Sequence, residues 1–325
     1  MLVIVTILGA FLIGVLLGKV VIPMLRALKA GQSIREIGPS WHNSKAGTPT
    51  MGGIIFICAA LLCVLTGIGG ILSGELDHLL VFLLALAFGA IGFIDDFVKV
   101  AKKRNLGLTA LQKLVLQLAA SALFLLALRW TGALTNSIYI PFVNVTFEIN
   151  WILYLVFAVF VIVGCVNAVN LTDGVDGLAT GVTIPVMVYF LVISLTYGKG
   201  HLALFPAALL GGLFAFLCYN FHPAKVFMGD TGSLFLGGAV CGMAFAVDMP
   251  LVLIPVGIIY IAETLSVILQ VGYFKLTHGK RIFKMTPIHH HFEMCGWKEE
   301  KIFFVFSGIT AVLCVLAYLG TAGRF

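Results

Sequence analysis

Apolar residues dominate this chain in runs of about 20, and short polar segments separate the runs. A helix of about 20 apolar residues is long enough to cross the ~30 Å hydrocarbon core of a membrane. The pattern therefore predicts ten spanning helices, at roughly residues 3–24, 53–72, 79–98, 114–130, 150–169, 178–197, 202–220, 232–247, 251–274 and 302–319. The runs at 114–130 and 232–247 are short enough to be re-entrant segments instead.

One segment between the runs follows a different pattern. Residues 138–149 alternate in part between apolar and polar positions and are rich in β-branched and aromatic residues, which predicts a short outer β-hairpin. The 325 residues are 61% hydrophobic and 10% charged, with a mean hydropathy of +1.10, which excludes a soluble domain. We therefore expect one all-α polytopic membrane domain over residues 1–325, with the first helix retained and not cleaved as a signal peptide.

Basic residues are distributed unevenly between the two sides of the predicted helices. The loops after the first, third, seventh and ninth runs hold all of the 20 lysines and arginines except Lys19, Arg129, Lys199 and Arg324. Because basic loops stay in the cytoplasm, these loops are predicted to be cytoplasmic and both termini to lie outside. The net charge of +6 follows from this topology and calls for no nucleic-acid partner.

A polar segment, residues 167–179, directly follows the fifth apolar run. Its polar residues recur every third position: Asn167, Asn170, Asp173 and Asp176. On a helix they would form one drifting stripe, whereas Gly174 and Gly177 favour a turn rich in Asn and Asp. A charge at the bilayer centre costs about 2.5–3.5 kcal/mol, so the two carboxylates require a helix end or a wet cavity. The segment therefore predicts an acidic site at the membrane edge, with a plain turn as the alternative.

Three further aspartates lie at predicted helix ends. Asp95 and Asp96 end the third run, and adjacent carboxylates need a cation nearby. Lys99, three or four residues later, supplies one as a helical ion pair, and Lys113 follows in the same loop. Asp230 stands where a helix opens, so it is either an N-cap or the ligand of a phosphate-bound metal ion.

The remaining candidates lie in other loops and in the ninth run. Residues 38–53 form a Gly- and Pro-rich loop, which is typical either of a turn or of close approach to an anion. Glu263, Ser266 and Gln270 share one helix face, for hydrogen bonds between helices or for a cavity. Residues 289–291 are three consecutive histidines, which lack zinc-ligand spacing but suit donors to phosphate.

Taken together, aspartates, lysines and histidines from distant loops are predicted to meet on one cytoplasmic face. Carboxylates combined with Lys and His suit Mg²⁺ and phosphates, since magnesium prefers one or two carboxylates and substrate oxygens. Phosphoryl transfer needs charge neutralisation and in-line positioning, and little covalent chemistry from the protein. The position at a membrane edge indicates one soluble and one lipid-borne substrate.

Five segments of the chain resemble one family. Residues 42–53, Asp95-Asp96, 167–179, 228–233 and 287–293 are similar to those of the phospho-N-acetylmuramoyl-pentapeptide transferases, in the superfamily of polyprenyl-phosphate N-acetylhexosamine-1-phosphate transferases. The resemblance extends over essentially the entire chain. The Phe-Glu pair after the three histidines resembles the muramoyl-peptide branch, and Val175 stands where Leu is usual.

The resemblance implies a specific reaction. Phospho-MurNAc-pentapeptide would pass from UDP-MurNAc-pentapeptide to undecaprenyl phosphate, giving lipid I and UMP, in the first membrane step of peptidoglycan synthesis, which cell-wall biogenesis, cell shape and cell division require. It also implies Mg²⁺ as cofactor, a homodimer, inhibition by nucleoside antibiotics, and a bacterial inner-membrane protein whose active site faces the cytoplasm.

The resemblance also assigns roles to residues. Asp230 resembles the magnesium ligand, Asp95 and Asp96 resemble the essential pair near the lipid phosphate, and Phe227 resembles the residue that stacks on the uracil base. The uridine pocket is completed by Gly174, Val175 and Asp176. Further pocket residues are Lys45, Thr50, Asn170, Asp173, Asn220, Gln270 and His290. We add Lys99 and Lys113 to the expected substrate-binding residues, and His289, His290 and His291 to the expected catalytic ones.

Two other functions compete with this one. A sister transferase that uses UDP-GlcNAc would share the acidic motifs, and parallel assays with the two sugar nucleotides distinguish it. A cation-coupled transporter would share the spans and Glu263. Transporters of that kind usually have internal repeats and charges near the bilayer midplane, whereas the acids here cluster at the cytoplasmic edge.

Overall fold

The computed structural model describes residues 1–28, 47–102 and 106–324, and these are mostly helical. In chain order the elements are α1 (Leu2–Ala27), α2 (Ile54–Ala60), α3 (Leu62–Thr66), α4 (Ile68–Ser73), α5 (Asp77–Ala101), α6 (Ala110–Trp130), β1 (Ser137–Ile140), β2 (Val145–Glu148), α7 (Trp151–Thr172), α8 (Leu178–Thr196), α9 (Leu204–Asn220), α10 (Gly229–Ala246), a 3₁₀ turn (Pro250–Val252), α11 (Leu253–Val256), α12 (Ile258–Leu276), α13 (Ile288–Met294), α14 (Glu299–Gly320) and a last 3₁₀ turn (Ala322–Arg324).

Seven helices in the described part of the chain are long and apolar enough to cross a membrane: α1, α5, α6, α7, α8, α12 and α14. The other three predicted spans are helical but shorter or interrupted. The run at 53–72 is divided into α2, α3 and α4, with a break at Gly67. Helix α9 has 17 residues and α10 has 18. Hydropathy marked all ten helical regions, but it did not register the interruptions within the run at 53–72.

The predicted β-hairpin is confirmed as a two-stranded antiparallel sheet, with Ser137 opposite Glu148 and Ile140 opposite Val145. Its turn packs against the end of α14, where the backbone N–H of Phe142 donates to the carbonyl of Gly320 at 2.7 Å. The hairpin thus lies at the end of the bundle where α14 finishes.

Helix α10 forms the centre of the bundle, since every residue of it except Asp230 is buried. It packs most extensively against α5, and also against α7 and α8. Small residues allow this close packing: Gly238 faces Ala85, and Gly237 faces Val166 of α7. Close approach over glycine is the usual way for membrane helices to gain packing energy without a hydrophobic driving force.

The outer surface of the bundle is apolar. On α1 the side chains of Leu8, Leu12, Leu16 and Val20 recur every fourth residue, and each is about 60% exposed. A face of this kind is stable in hydrocarbon and would aggregate in water. The structure is therefore that of a multi-pass membrane protein.

Gly92 sets the distance between α5 and the beginning of α10. A Cβ atom at this position would overlap the carbonyl group of Asp230 and approach the backbone nitrogen of Thr231 to 2.7 Å. Backbone atoms cannot move aside as a flexible side chain can. The carboxyl end of α5 therefore touches the amino end of α10 only because residue 92 has no side chain.

We predict that Gly92→Ala destabilises the protein by about 1–3 kcal/mol or more, the usual cost of overpacking. The measurement is the thermal unfolding midpoint of the detergent-solubilised protein. Gly164→Ala is the matched control, because Gly164 is also a helical glycine but a Cβ there would meet no atom within 4 Å. Equal midpoints for the two variants would show that the α5–α10 contact tolerates a side chain.

Candidate active site

Three aspartates meet where the ends of α5 and α10 come together. Asp95 and Asp96 lie in the last turns of α5, and Asp230 lies in the first turn of α10. One carboxylate oxygen from each lies within 4.8 Å of the others, and we call this group the acidic centre. Asp95 and Asp96 are buried, whereas the Asp230 side chain is 20% exposed. Asp230 is therefore the member of the group that solvent or a ligand reaches first.

Two lysines neutralise most of this negative charge. The Lys99 ammonium lies 2.6 Å from Asp95 and 3.1 Å from Asp230, and the Lys113 ammonium lies 3.1 Å and 2.7 Å from the same two groups. The helical ion pair expected for Lys99 is confirmed, and the lysine also bridges to α10. Burial alone would raise the pKa of Asp230, but Lys113 and Lys99 hold that pKa well below its usual range.

Asp96 caps the amino end of α10. One of its oxygens accepts the backbone N–H of Thr231 at 2.9 Å and the hydroxyl of the same residue at 2.8 Å. The sequence offered Asp230 as the N-cap, but α10 has no side-chain cap of its own and Asp230 binds lysines instead. The first free N–H groups of a helix attract anions, so a buried carboxylate from a neighbouring helix stabilises them.

Asn170, in the last turn of α7, completes the acidic centre. Its side-chain amide donates to Asp230 at 3.1 Å and to the Ser233 hydroxyl at 2.7 Å. Asp230 thus accepts from an amide on one oxygen and binds two ammonium groups with the other. A neutral donor at this position holds Asp230 in place without cancelling its charge.

The segment before α2 runs alongside the segment before α10. The N–H of Phe227 donates to Pro49, and the N–H of Gly52 donates back to Phe227, both at 2.8 Å. This pairing brings buried Thr50 to the acidic centre, and its hydroxyl has no hydrogen-bond partner among the described residues. Gly229 bends between them at φ +70°, a conformation that favours glycine. The predicted site residue Lys45 lies outside the described residues.

Helix α7 ends at Thr172, so the polar residues of segment 167–179 do not form one helical stripe. Residues 173–177 are instead a turn, and Gly177 has φ +74°. Asn167 bonds Gln117 on α6, away from the acidic centre. The turn interpretation of this segment is therefore the right one for Asp173 to Gly177, while Asn170 still belongs to helix α7.

Asp176 is buried and belongs to a second group of ionisable residues. The sequence did not indicate its two partners, His222 and Glu299. Its carboxylate contacts Nδ1 of His222 at 2.9 Å and accepts the N–H of Ala224 at 2.9 Å. Its own N–H donates to Glu299 at 3.0 Å. His222 and Glu299 lie 46 and 123 residues from Asp176 and match no motif, so no local pattern could have identified them.

The three consecutive histidines point to three different partners. Nδ1 of His289 lies 3.0 Å from buried Glu263, and Nδ1 of His290 lies 2.6 Å from Glu293. His291 accepts the backbone N–H of Lys284 at 3.1 Å. Because the three side chains have separate partners, they do not converge on one point, which agrees with the lack of zinc-ligand spacing in the sequence.

Gln270 and Asn220, both predicted to bind substrate, hold loops in place. The Gln270 carbonyl accepts the N–H groups of Ile282 and Phe283 at 3.0 and 2.9 Å. Asn220 is buried, donates to the carbonyl of Val226 and accepts from Thr180. Gln270 thus fixes the loop at residues 282–283, and Asn220 fixes the segment that leads to Phe227.

The acidic centre has the donor set that a hard divalent cation prefers. Three carboxylates offer oxygen atoms within a few ångströms, and the nearby lysines suit phosphate oxygens. Asp230, Asp95 and Asp96 are the residues that would hold the ion. The residues present therefore fit Mg²⁺ together with a phosphorylated ligand.

Comparison with known proteins agrees with this geometry. The model of glycosyl transferase family 4 matches residues 78–248, which include the acidic centre, Asn170 and the turn 173–177. Signature 1 of the phospho-N-acetylmuramoyl-pentapeptide-transferases matches residues 45–57, which include Thr50.

Whole-length relatives carry the name of the same enzyme. The phospho-N-acetylmuramoyl-pentapeptide-transferase of Clostridium perfringens strain SM101 is 50% identical over 310 residues, covering 95% of this chain and 94% of that protein. The enzyme of the same name from Clostridium beijerinckii is 49% identical, covering 95% and 93%. That of Clostridium kluyveri is 48% identical, covering 97% and 98%.

This chain belongs to the phospho-N-acetylmuramoyl-pentapeptide-transferase family. The resemblance seen in the sequence is thereby confirmed, and the chain is a membrane-bound transferase of peptidoglycan precursor synthesis. Within the family's matched region, the structure brings Asp95, Asp96, Asp230 and Asn170 into one site, together with Lys99 and Lys113.

We predict that Asn170→Asp lowers the thermal unfolding midpoint in EDTA more than Asn170→Ala does. The substitution is nearly isosteric, but it places a fourth carboxylate about one hydrogen-bond length from Asp230, where like charges repel. Added Mg²⁺ should raise the midpoint of the Asp variant more than that of the wild type, because an ion that binds the folded state stabilises it. Identical midpoints for the two variants in EDTA would contradict a crowded acidic centre.

Proposed function

We propose that the chain transfers phospho-MurNAc-pentapeptide from UDP-MurNAc-pentapeptide to undecaprenyl phosphate, giving lipid I and UMP. The observation that carries the proposal is the acidic centre with its two lysines, placed at the ends of membrane helices in a member of this family. A site at the ends of spanning helices is open to a water-soluble nucleotide and also to a phosphate whose isoprenoid chain stays in the bilayer.

Mg²⁺ is the proposed cofactor, held by Asp230 with Asp95 and Asp96. When bound, the ion would supply a positive charge for the pyrophosphate oxygens and for the departing UMP. Lys99 and Lys113 lie between Asp95 and Asp230 in this structure, so their ammonium groups are in place to bind phosphate oxygens. The Thr50 hydroxyl lies beside Gly229 and has no hydrogen-bond partner in the described ranges; we propose that it also donates to a phosphate oxygen.

Transfer in a single step fits the partners of the aspartates better than a covalent aspartyl phosphate does. Asp95 accepts the N–H of Leu108 at 2.7 Å and binds both lysines, and Asp96 caps α10. Both carboxylates are buried and engaged, which makes them poor nucleophiles. The lipid phosphate has a second pKa of about 6, so it is mostly dianionic at neutral pH and a general base is optional. We propose that Asp95 or Asp96 orients this phosphate through the lysine ammonium groups held beside them, and deprotonates it where necessary.

The turn 173–177 and Phe227 are the proposed nucleotide pocket. Asp176 is held by His222 and by the N–H of Ala224, which fixes its carboxylate at the edge of the turn. Phe227 is half-buried beside the segment that carries Thr50. His290, Asp173, Gln270 and Asn220 are proposed to border the remainder of the substrate. Homodimerisation and inhibition by nucleoside antibiotics stay predictions of the family resemblance.

The acidic end of the bundle is proposed to face the cytoplasm, in a bacterial inner membrane crossed by ten helices. Lys99 and Lys113 lie at this end, and Lys275 and Lys301 lie at the helix ends nearest to it. The opposite end carries the hairpin and Arg324, which binds Asp248 at 3.1 Å. This asymmetry is the one that the positive-inside rule associates with the cytoplasm, and it supports the proposal that both termini lie outside.

We predict that purified protein with Mg²⁺ converts UDP-MurNAc-pentapeptide and undecaprenyl phosphate to lipid I and UMP, and that UDP-GlcNAc is not used. Asp230→Asn should lower turnover by at least about 100-fold and weaken the Mg²⁺ dependence, because it removes a charged ligand and two ion pairs. Glu148→Gln, an exposed acid on the hairpin, is the control and should retain full activity.

Two outcomes of this assay would contradict the proposal. Near-normal turnover by folded Asp230→Asn would remove Asp230 from the metal site. A stoichiometric release of UMP by enzyme stripped of polyprenyl phosphate, with label retained on Asp95 or Asp96, would replace the single step by a covalent route.

We predict that Lys102 faces the cytoplasm and that Gly74 faces the outside. Single cysteines at these positions, in a variant without native cysteines, should react differently with a membrane-impermeant maleimide on intact cells: position 74 is labelled and position 102 is not. The control is lysed cells, in which both positions should react. The reverse pattern would place the acidic centre on the side of the membrane where UDP-sugars are absent.

A further inference from the structure

Glu263 is a fully buried carboxylate inside α12, one of the membrane-length helices. One of its oxygens has no hydrogen-bond partner in the described part of the chain. The other accepts the backbone N–H of His289 at 3.3 Å and contacts Nδ1 of the same residue at 3.0 Å. A carboxylate at such a position is costly unless a donor or a charge accompanies it. Among the described residues, His289 supplies both of these contacts.

His289 is 1% exposed, and α13 turns its side chain into the bundle to reach Glu263. In the neutral ring, donation from Nδ1 leaves the lone pair on Nε2. That atom is buried and has no hydrogen-bond partner in the ranges described. Nε2 of His289 lies so close to Gly174 that a Cβ atom at residue 174 would overlap this nitrogen. His289 therefore supports the turn 173–177 through contact with a residue that has no side chain.

Asp176 in the same turn has partners of its own. The Asp176 carboxylate binds His222 and the N–H of Ala224, and the Asp176 N–H donates to Glu299. The turn thus contacts two acid–imidazole pairs: Gly174 meets the pair from α12 and α13, and Asp176 belongs to a pair with His222 of the α9–α10 loop. Only the Glu263 pair has its acid inside a membrane-length helix, with no exposure to water.

We propose that Glu263 is a positioning residue for nucleotide binding: it fixes the His289 ring, which in turn fixes the Gly174–Asp176 part of the turn. The inference rests on the proposed function in one respect, that this turn binds the uridine nucleotide. Glu263 touches no substrate under this proposal, and its effect passes entirely through His289.

The test is a double-mutant cycle measured as KM for UDP-MurNAc-pentapeptide and as kcat. Glu263→Leu and His289→Ala should each raise KM by about tenfold with a smaller change in kcat, and the double variant should be no worse than the worse single one, since contacting residues are not additive. Leu suits this site because replacing a buried charge by an apolar side chain in a membrane helix avoids an unpaired charge. Glu263→Gln retains an acceptor for Nδ1–H and should restore KM to near the wild-type value.

Ser266→Ala is the matched control. Ser266 is a buried polar residue on the same face of α12, and its hydroxyl donates only to the carbonyl of Glu263 in its own helix. It should leave KM and kcat unchanged. A general loss of helix packing would affect Ser266→Ala and Glu263→Gln as well, whereas the positioning role predicts that both stay near wild type.

A second pair of variants tests the contact between His289 and Gly174 by changing the turn. This pair replaces the first test if Glu263→Leu does not fold. Gly174→Ala should raise KM because its methyl group displaces His289, and His289→Ala should relieve part of that increase by making space. Losses that multiply in either double variant overturn the proposal. An inactive wild type in the same assay would instead refute the proposed function and leave the packing of Glu263 on His289 to be tested by stability alone.

Discussion

A carboxylate buried at the end of a membrane helix is stable only with a positive charge or several donors beside it, and the architecture of this protein follows from that constraint. Asp95 needs Lys99 from its own helix and Lys113 from α6. Asp96 needs the amino end of α10. Because these partners belong to separate elements, satisfying the carboxylates also fixes how α5, α6 and α10 meet. Gly92 provides the space for that meeting.

The same charges prepare the site for its ligands. Three carboxylates and two ammonium groups sum formally to one negative charge, which favours a divalent cation. With the cation present, the formal sum becomes one positive charge, which favours a phosphate. Each proposed ligand thus improves the site electrostatically for the next. Asp230 is the acid best placed to exchange its lysines for a cation, because it is the most exposed of the three and binds both lysines through one oxygen.

Local sequence predicted those parts of the fold and site whose physics is local. Apolar runs identified the helical regions, alternation identified the hairpin, and the spacing from Asp95 to Lys99 identified an ion pair. Contacts between residues far apart in the chain produce no pattern in the local sequence. The capping of α10 by Asp96 joins residues 135 positions apart, and the contact of Asp176 with Glu299 joins residues 123 apart. Periodicity does not report on such pairs, and neither did it report the break at Gly67 in the second apolar run.

Asn170 connects the acidic centre with the turn 173–177. It lies in the last turn of α7, where it donates to Asp230, and the chain continues from there directly into the turn 173–177. One element therefore carries both an acidic-centre contact and the proposed uridine contacts. Only four positions separate Asn170 from Gly174, so the two sets of contacts lie close together along the chain. A shift of α7 would move both contacts together, so the proposed pyrophosphate and uridine contacts would keep their relative positions. Under the proposed positioning role of Glu263, the acid–imidazole pairs at Gly174 and Asp176 would oppose a movement of the turn relative to the acidic centre.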